Sequence, residues 1–219
     1  MKTDATLRAS RILVLGIGNI LWADEGFGVR AVEEFDRHYE VSDNVTILDG
    51  GTQGLYLVHF VEEADYLLVF DAIDYGLEPG TLKVVTDDEV PKFTGAKKMS
   101  LHQTGFQEVL ASAELLDKAP AHLFLIGVQP VELEDYGGSL RPEVKAQIPP
   151  AIEAAVNYLR RLGIDALARA EPLPESATLA CERMLMSRYE ADRPSDKEAC
   201  RSGDARVLAM RSVAGGEAL

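Results

Sequence analysis

Arg11-Ile-Leu-Val-Leu-Gly-Ile-Gly-Asn-Ile-Leu-Trp-Ala-Asp-Glu-Gly-Phe-Gly28 is a β-rich apolar run that breaks at glycines and leads into an amphipathic segment from Val29 to Tyr39. It reads as strand, loop, helix. Further runs of strand length and composition lie at about 45–49, 65–71, 81–86 and 122–128, and helical patterns lie at about 27–39, 53–62, 104–117 and 142–162. Strands that alternate with helices predict an α/β three-layer sandwich, a mostly parallel twisted sheet of about five strands with helices on both faces. Gly76-Leu-Glu-Pro-Gly80 is too short for a parallel crossover, so the run at 81–86 is expected to be antiparallel and near an edge. Pro149-Pro150 predicts a kink or short break in the last helical pattern, and Gly163 is a candidate C-cap.

A chain of 219 residues with 47% hydrophobic content suffices for one well-packed α/β domain, placed at 1–165. The formal net charge of −14 repels phosphate backbones and argues against a nucleic-acid partner. Cys181 and Cys200 both lie beyond the body, which leaves it without a disulfide framework, a thiolate metal site or a cysteine nucleophile. No apolar stretch approaches the roughly 20 residues that span a bilayer, and Met1-Lys-Thr-Asp-Ala-Thr6 lacks a signal h-region, so no membrane role and a cytoplasmic location are expected. After Ile164 the pattern dissolves into Pro, Ser and alternating charge. Residues 166–219 are expected to form a C-terminal extension, flexible or partly helical, with 177–189 as its candidate helix.

Ligands of open parallel sheets bind outside the carboxyl ends of the strands. Glu25 falls in the loop after the first run, Asp71 ends Ala64-Asp-Tyr-Leu-Leu-Val-Phe-Asp71, and His102 stands in Ser100-Leu-His-Gln-Thr-Gly105 just ahead of a helical pattern. Singly they have ordinary explanations: a helix-start carboxylate, a capping aspartate, a surface histidine. Jointly they offer carboxylate oxygen and imidazole nitrogen, a donor set suited to divalent zinc or nickel. Spacing leaves open whether three separate loops converge. Asp24, Asp49 and Asp74 lie near the same rim and are candidates for a general base. Asp49-Gly-Gly-Thr-Gln-Gly54 is either a tight turn or a peptide-binding loop, with Gly50, Gly51 and Thr52 as its contact residues. Gly16-Ile-Gly18 invites a dinucleotide, but Leu21 stands where G-x-G-x-x-G needs its third glycine, and Asp24 and Glu25 would face the pyrophosphate with like charge. There is no G-x-S-x-G elbow, no H-E-x-x-H helix and no Asp-Thr-Gly pair. His38, His59 and His122 fit structural positions.

Over about 11–165 the sequence resembles the hydrogenase maturation endopeptidases, which trim the C-terminus of the nickel-iron hydrogenase large subunit. The likeness rests on Ile12-Leu-Val-Leu-Gly-Ile-Gly-Asn-Ile-Leu21 with Asp24-Glu25-Gly-Phe-Gly-Val-Arg30, on Asp49-Gly-Gly-Thr-Gln-Gly54, on Val69-Phe-Asp-Ala-Ile73, on Ser100-Leu-His-Gln103, and on Gly127-Val-Gln-Pro130 with Gly138. It implies that Glu25, Asp71 and His102 contact a metal. The metal would be nickel carried by the substrate, which zinc or cadmium can replace in a crystal. It also implies a large-subunit precursor as partner and a monomer that binds it transiently. Trp22 departs from the family pattern, which usually has a smaller apolar residue there, and the long tail matches relatives that serve uptake hydrogenases. Two other functions compete: a non-catalytic nickel-recognition or docking module for the immature subunit, and a small-molecule enzyme that holds a nucleotide on the glycine loop.

Overall fold

In the computed structural model, which describes residues 10–90 and 101–195 and only the backbone at 88 and 101–105, the first apolar run forms strand β1 (Ile12–Ile17), buried along its whole length. The other strands are β2 (Tyr39–Val41), β3 (Val45–Gly51), β4 (Tyr66–Ala72), β5 (Leu82–Thr86), β6 (His122–Val128) and β7 (Ala166–Ala168). The five-stranded sheet has the order β3-β1-β4-β6-β5, parallel except for β5, which pairs antiparallel with β6 at the edge. This is the expected architecture.

Helices α1 (Phe27–His38), α2 (Val58–Glu63), α3 (Leu101–Leu115), α4 (Pro142–Lys145), α5 (Ile148–Arg161) and α6 (Met186–Ala191) complete the described elements. Strand side chains alternate between the two faces, so Val14, Leu68 and Ile126 join Phe27, Phe35, Ala155 and Leu159 on the α1/α5 side. Leu13, Leu15, Leu67, Val69 and Leu125 join Val61, Phe106 and Val109 on the α2/α3 side. Covering both faces is why β1 and β4 read as unbroken apolar runs rather than as alternating ones.

Several boundaries differ from the sequence pattern. β3 runs on through Gly50-Gly51, so the glycine loop begins inside a strand, and α2 is preceded by a 3-10 turn at Gly54–Leu57. The last helix breaks at Ala146-Gln147, ahead of the prolines, and Pro149 and Pro150 then occupy the first turn of α5, where a missing N–H has no intrahelical partner to lose. Gly163 has φ +72°, the left-handed geometry expected after a helix end. α1 passes directly into β2, which pairs antiparallel with β7. Residues 166–195 form β7, 3-10 turns at Glu175–Ala177 and Glu182–Met184, and α6, so helix occupies only the end of the stretch from 177 to 189. Cys200 and the N-terminal residues 1–9 lie outside the described residues.

Two glycines set how closely α1 approaches the sheet. A Cβ on Gly28 would run into the carbonyl oxygens of Ile17 and Phe70, and one on Gly16 into the Gly28 carbonyl and the Val32 side chain. Only hydrogen fits at either place, so α1 starts directly on the carboxyl ends of β1 and β4. Gly28→Ala is therefore expected to lower unfolding stability by about 2 kcal/mol or more, because the clash is with strand backbone and not with a side chain that can turn away. Urea denaturation measures it, and an unchanged midpoint would contradict the close seating.

Candidate active site

The carboxyl ends of the central strands come side by side: Gly16 is in register with Asp49 on β3 and Phe70 on β4, and Asp71 is in register with Gly127 on β6. Beyond β1, the Asn19 side chain accepts the Leu21 N–H at 3.0 Å, and a 3-10 turn at Ala23–Gly26 follows. Ala23 enters that turn at φ +42°, a conformation uncommon for a residue with a Cβ, so the backbone is strained immediately before Asp24 and Glu25. The turn lies against β4, the strand that carries Asp71 as its last but one residue. Glu25 is half-buried, and Asp71 is 4% exposed with its Oδ1 accepting the Ala72 N–H at 2.7 Å.

His102 is the second residue of α3. The sequence pattern places it just ahead of a helix, whereas the helix already includes it. α3 is about 22 Å long and leads down to the start of β6, and it packs against the 3-10 turn that follows β3. Its first turn therefore begins at the same rim as Glu25 and Asp71. The His102 side chain is outside the described set, and among the described residues no group of three His, Cys, Asp or Glu side chains forms a metal-holding cluster.

Asp24, one of the candidate bases, proves to be an anchor. It is fully buried, and its Oδ2 accepts the N–H groups of Val131 and Glu132, each at 2.8 Å, while Oδ1 accepts that of Arg141 at 2.7 Å. Its own N–H donates to the Glu132 carbonyl. Saturation by backbone donors suits holding the loop after β6 and not proton transfer. Asp74 Oδ1 accepts from Gly76 N–H and Gln129 Nε2, both at 3.0 Å. Gln129 is buried, and its Oε1 accepts the N–H groups of Tyr75 and Leu77. This amide fixes the loop after β4, a role that the Gly127-Val-Gln-Pro130 motif did not disclose. A buried amide at the end of an apolar strand was its only signal.

Asp49 is the third candidate. Its Oδ1 is buried with no hydrogen-bond partner among the described residues, and burial pushes its carboxyl above the usual range against the lowering effects of the Gly51 N–H and Arg30. Glu33 is likewise pushed up by burial, opposed by Arg30, whose Nη1 lies 2.9 Å from its Oε2. Arg30, buried itself, is thus the cation shared by two acids beneath the rim. His38 and His59 have ring nitrogens near local backbone carbonyls, and His122 stacks on Tyr66.

Around these acids the rim is apolar and open. Leu21, Leu55, Tyr56, Leu77, Val131 and Tyr136 are exposed on the loops after β1, β3, β4 and β6. Trp22 meets Tyr136 edge-on at 5.2 Å. A wide cleft of about 570 Å³ lies elsewhere, lined by Val84, Phe124 and Arg160.

The carboxyl-end rim of this α/β sheet thus carries Glu25 and Asp71 beside the first turn of the helix that bears His102. The model of the hydrogenase maturation protease family matches residues 29–158, and the chain belongs to that family. It is 62% identical over 202 residues to the hydrogenase expression/formation protein HupD of Thiocapsa roseopersicina, covering 92% of this chain and 91% of that one. It is 72% identical to HupD of Rhizobium leguminosarum bv. viciae over 74% of this chain and 81% of that one. The solved hydrogenase maturating endopeptidase HybD of Escherichia coli superposes with a TM-score of 0.69 at 42% identity, covering 73% of this chain and 98% of that one. The chain is accordingly an endopeptidase, which displaces the expectation of a non-catalytic docking module.

Two variants test the electrostatics. Asp24→Ala leaves three part-buried backbone donors without their shared acceptor and is expected to cost about 3 kcal/mol in urea denaturation. Asp49→Asn should act in the opposite sense. The raised carboxyl of Asp49 binds its proton more tightly folded than unfolded, so its charge costs stability as pH rises from the ordinary value of 3.8 through the folded one. The Asn variant should melt above wild type at pH 7, with the gain vanishing below that window. A lower melting temperature at pH 7 would contradict it.

Proposed function

We propose that this protease removes a C-terminal extension from the precursor of the nickel-iron hydrogenase large subunit after nickel insertion. The observation that carries this is the packing of the Glu25 turn against β4, whose last but one residue is Asp71, at the rim where the first turn of α3 carries His102. Nickel is here part of the substrate, held by cysteine thiolates of the immature subunit beside the scissile bond. Glu25, Asp71 and His102 fill its open positions and so fix the precursor against the rim. The ion polarises the scissile carbonyl or lowers the pKa of a water, which accounts for catalysis without a protein nucleophile.

Oxygen and nitrogen donors without a thiolate hold nickel weakly by themselves, so cutting waits for a precursor that brings the metal. The exposed apolar residues Leu55, Tyr56, Val131 and Tyr136 suit a protein surface better than a small molecule. Gly50, Gly51 and Thr52, between Asp49 and the turn before α2, form the loop that would receive the extended peptide. With Asp24 committed to a loop, a proton-accepting role falls to Asp49 or Asp74, and burial, which raises the Asp49 carboxyl, suits Asp49 to it. The enzyme is taken to act as a cytoplasmic monomer; among the described residues no helix is long and apolar enough to cross a membrane.

His102→Ala is expected to fold as wild type and to process nickel-loaded precursor at least about 100-fold more slowly, a loss of roughly 2.7 kcal/mol in the transition state. Mass spectrometry of the precursor C-terminus reads this, and trimming at the wild-type rate would remove His102 from the site. Precursor prepared without nickel should stay intact under the same conditions. Equal cutting of metal-free and metal-loaded precursor would exclude the dependence on nickel.

A further inference from the structure

The loop that Asp24 holds from within is also held from outside. After β7 the chain runs along the end of α1, with Arg169 N–H donating to the His38 carbonyl and Leu173 N–H to that of Arg37. The 3-10 turn at Glu182–Met184 brings the Met184 carbonyl to 2.6 Å from Arg30 Nη1, the buried cation of the rim. α6 then reaches the loop between β6 and α4. Glu190 Oε1 accepts from Ser139 Oγ and Lys145 Nζ, each at 2.8 Å, and Arg193 Nη2 lies 3.2 Å from Asp135 Oδ2. Arg141 Nη2 also donates to Asp135 Oδ2, at 2.9 Å. Between these outer ties and the Asp24 carboxylate stand Val131 and Tyr136, both exposed beside the Glu25 turn, with Gly137 N–H donating to the Leu21 carbonyl at 2.7 Å.

We propose that Glu190 and Arg193 are positioning residues through which the segment from Glu175 to Ser195 clamps the 131–141 loop, so that Val131 and Tyr136 are presented in one arrangement to the arriving precursor. This rests on the proposed processing of a large-subunit precursor at the same rim. Without the outer ties the loop keeps its Asp24 anchors at Val131, Glu132 and Arg141, but the stretch between them that carries Tyr136 samples more arrangements. The clamp removes that freedom before binding, so its contribution appears in substrate recognition and not in the bond-breaking step. One exposed ion pair shifts an equilibrium only about two- to fivefold, but two ties across one loop act together.

The test compares wild type with the Glu190→Ala/Arg193→Ala double variant and the conservative Glu190→Gln/Arg193→Lys variant, reading backbone amide exchange and steady-state cleavage of nickel-loaded precursor. In the alanine variant, exchange across 131–141 should quicken about tenfold while β1 and β4 keep their protection. KM should rise about fivefold, with kcat within about twofold of wild type, and the conservative variant should recover both. Arg193→Ala alone, which removes one partly exposed contact, gives the same pattern at smaller amplitude and guards against misfolding of the double variant. Unchanged loop exchange, or a loosened loop with unaltered KM, would overturn the clamp. A fall in kcat alone would do the same. If wild type cuts no precursor, the proposed processing fails, while the exchange measurement by itself still decides whether these residues hold the loop.

Discussion

Where α1 begins, Gly28 has the carbonyl oxygens of Ile17 and Phe70 as its immediate neighbours, and Gly16 offers the Gly28 carbonyl no side chain to avoid. That backbone-on-backbone seating leaves the connection from β1 no room to arch outward. It must turn tightly, and it does so through Gly18 at φ +142° and Ala23 at φ +42°. The tight turn is what lays the Ala23–Gly26 segment against β4 and brings the Asp24 carboxylate under the loop after β6. Enlarging either glycine would lift the helix and separate the acids that the rim gathers.

The same rim concentrates negative charge on a chain whose formal net charge is already −14. The acids divide by what each carboxylate meets. Asp24 meets three backbone donors and becomes part of the scaffold, while Asp74 caps its own loop with help from Gln129. Asp49 is left with a buried oxygen that no described residue satisfies, and only the distant Arg30 charge and the Gly51 N–H offset its burial. Retaining a costly carboxylate at the mouth of a site is common where chemistry needs it. The C-terminal extension adds charge of the opposite sign through Arg193 and takes hold of Arg30 through the Met184 carbonyl, so it is wired to the rim at two points.

Much of this was legible in the chain. The strand runs, their burial on both faces and the antiparallel edge follow from apolar continuity and from the length of Gly76–Gly80. The positions of Glu25 and Asp71 at strand ends follow from the same reasoning. Pairing of β2 with β7 was hidden, because three-residue strands are too short to carry a period. Asp24 was indistinguishable from Glu25 in sequence, since only tertiary packing decides which of two adjacent acids turns inward. Gln129 was invisible for a like reason, as its partners lie more than fifty positions away. The order in residues 166–195 was obscured by composition: a few scattered apolar anchors, Ala166, Leu185 and Met186 among them, combine with polar ties through Glu190 and Arg193, and neither kind carries a period.

In the proposed function two carboxylates and an imidazole share an ion that arrives with the substrate. Nickel-edge X-ray absorption on the complex of this protease with nickel-loaded precursor examines that sharing directly. Oxygen and nitrogen scatterers should join the sulfur shell of the precursor's nickel on binding, and fewer should join when Glu25→Ala, Asp71→Ala or His102→Ala is used. A nickel shell identical in free and protease-bound precursor would contradict it.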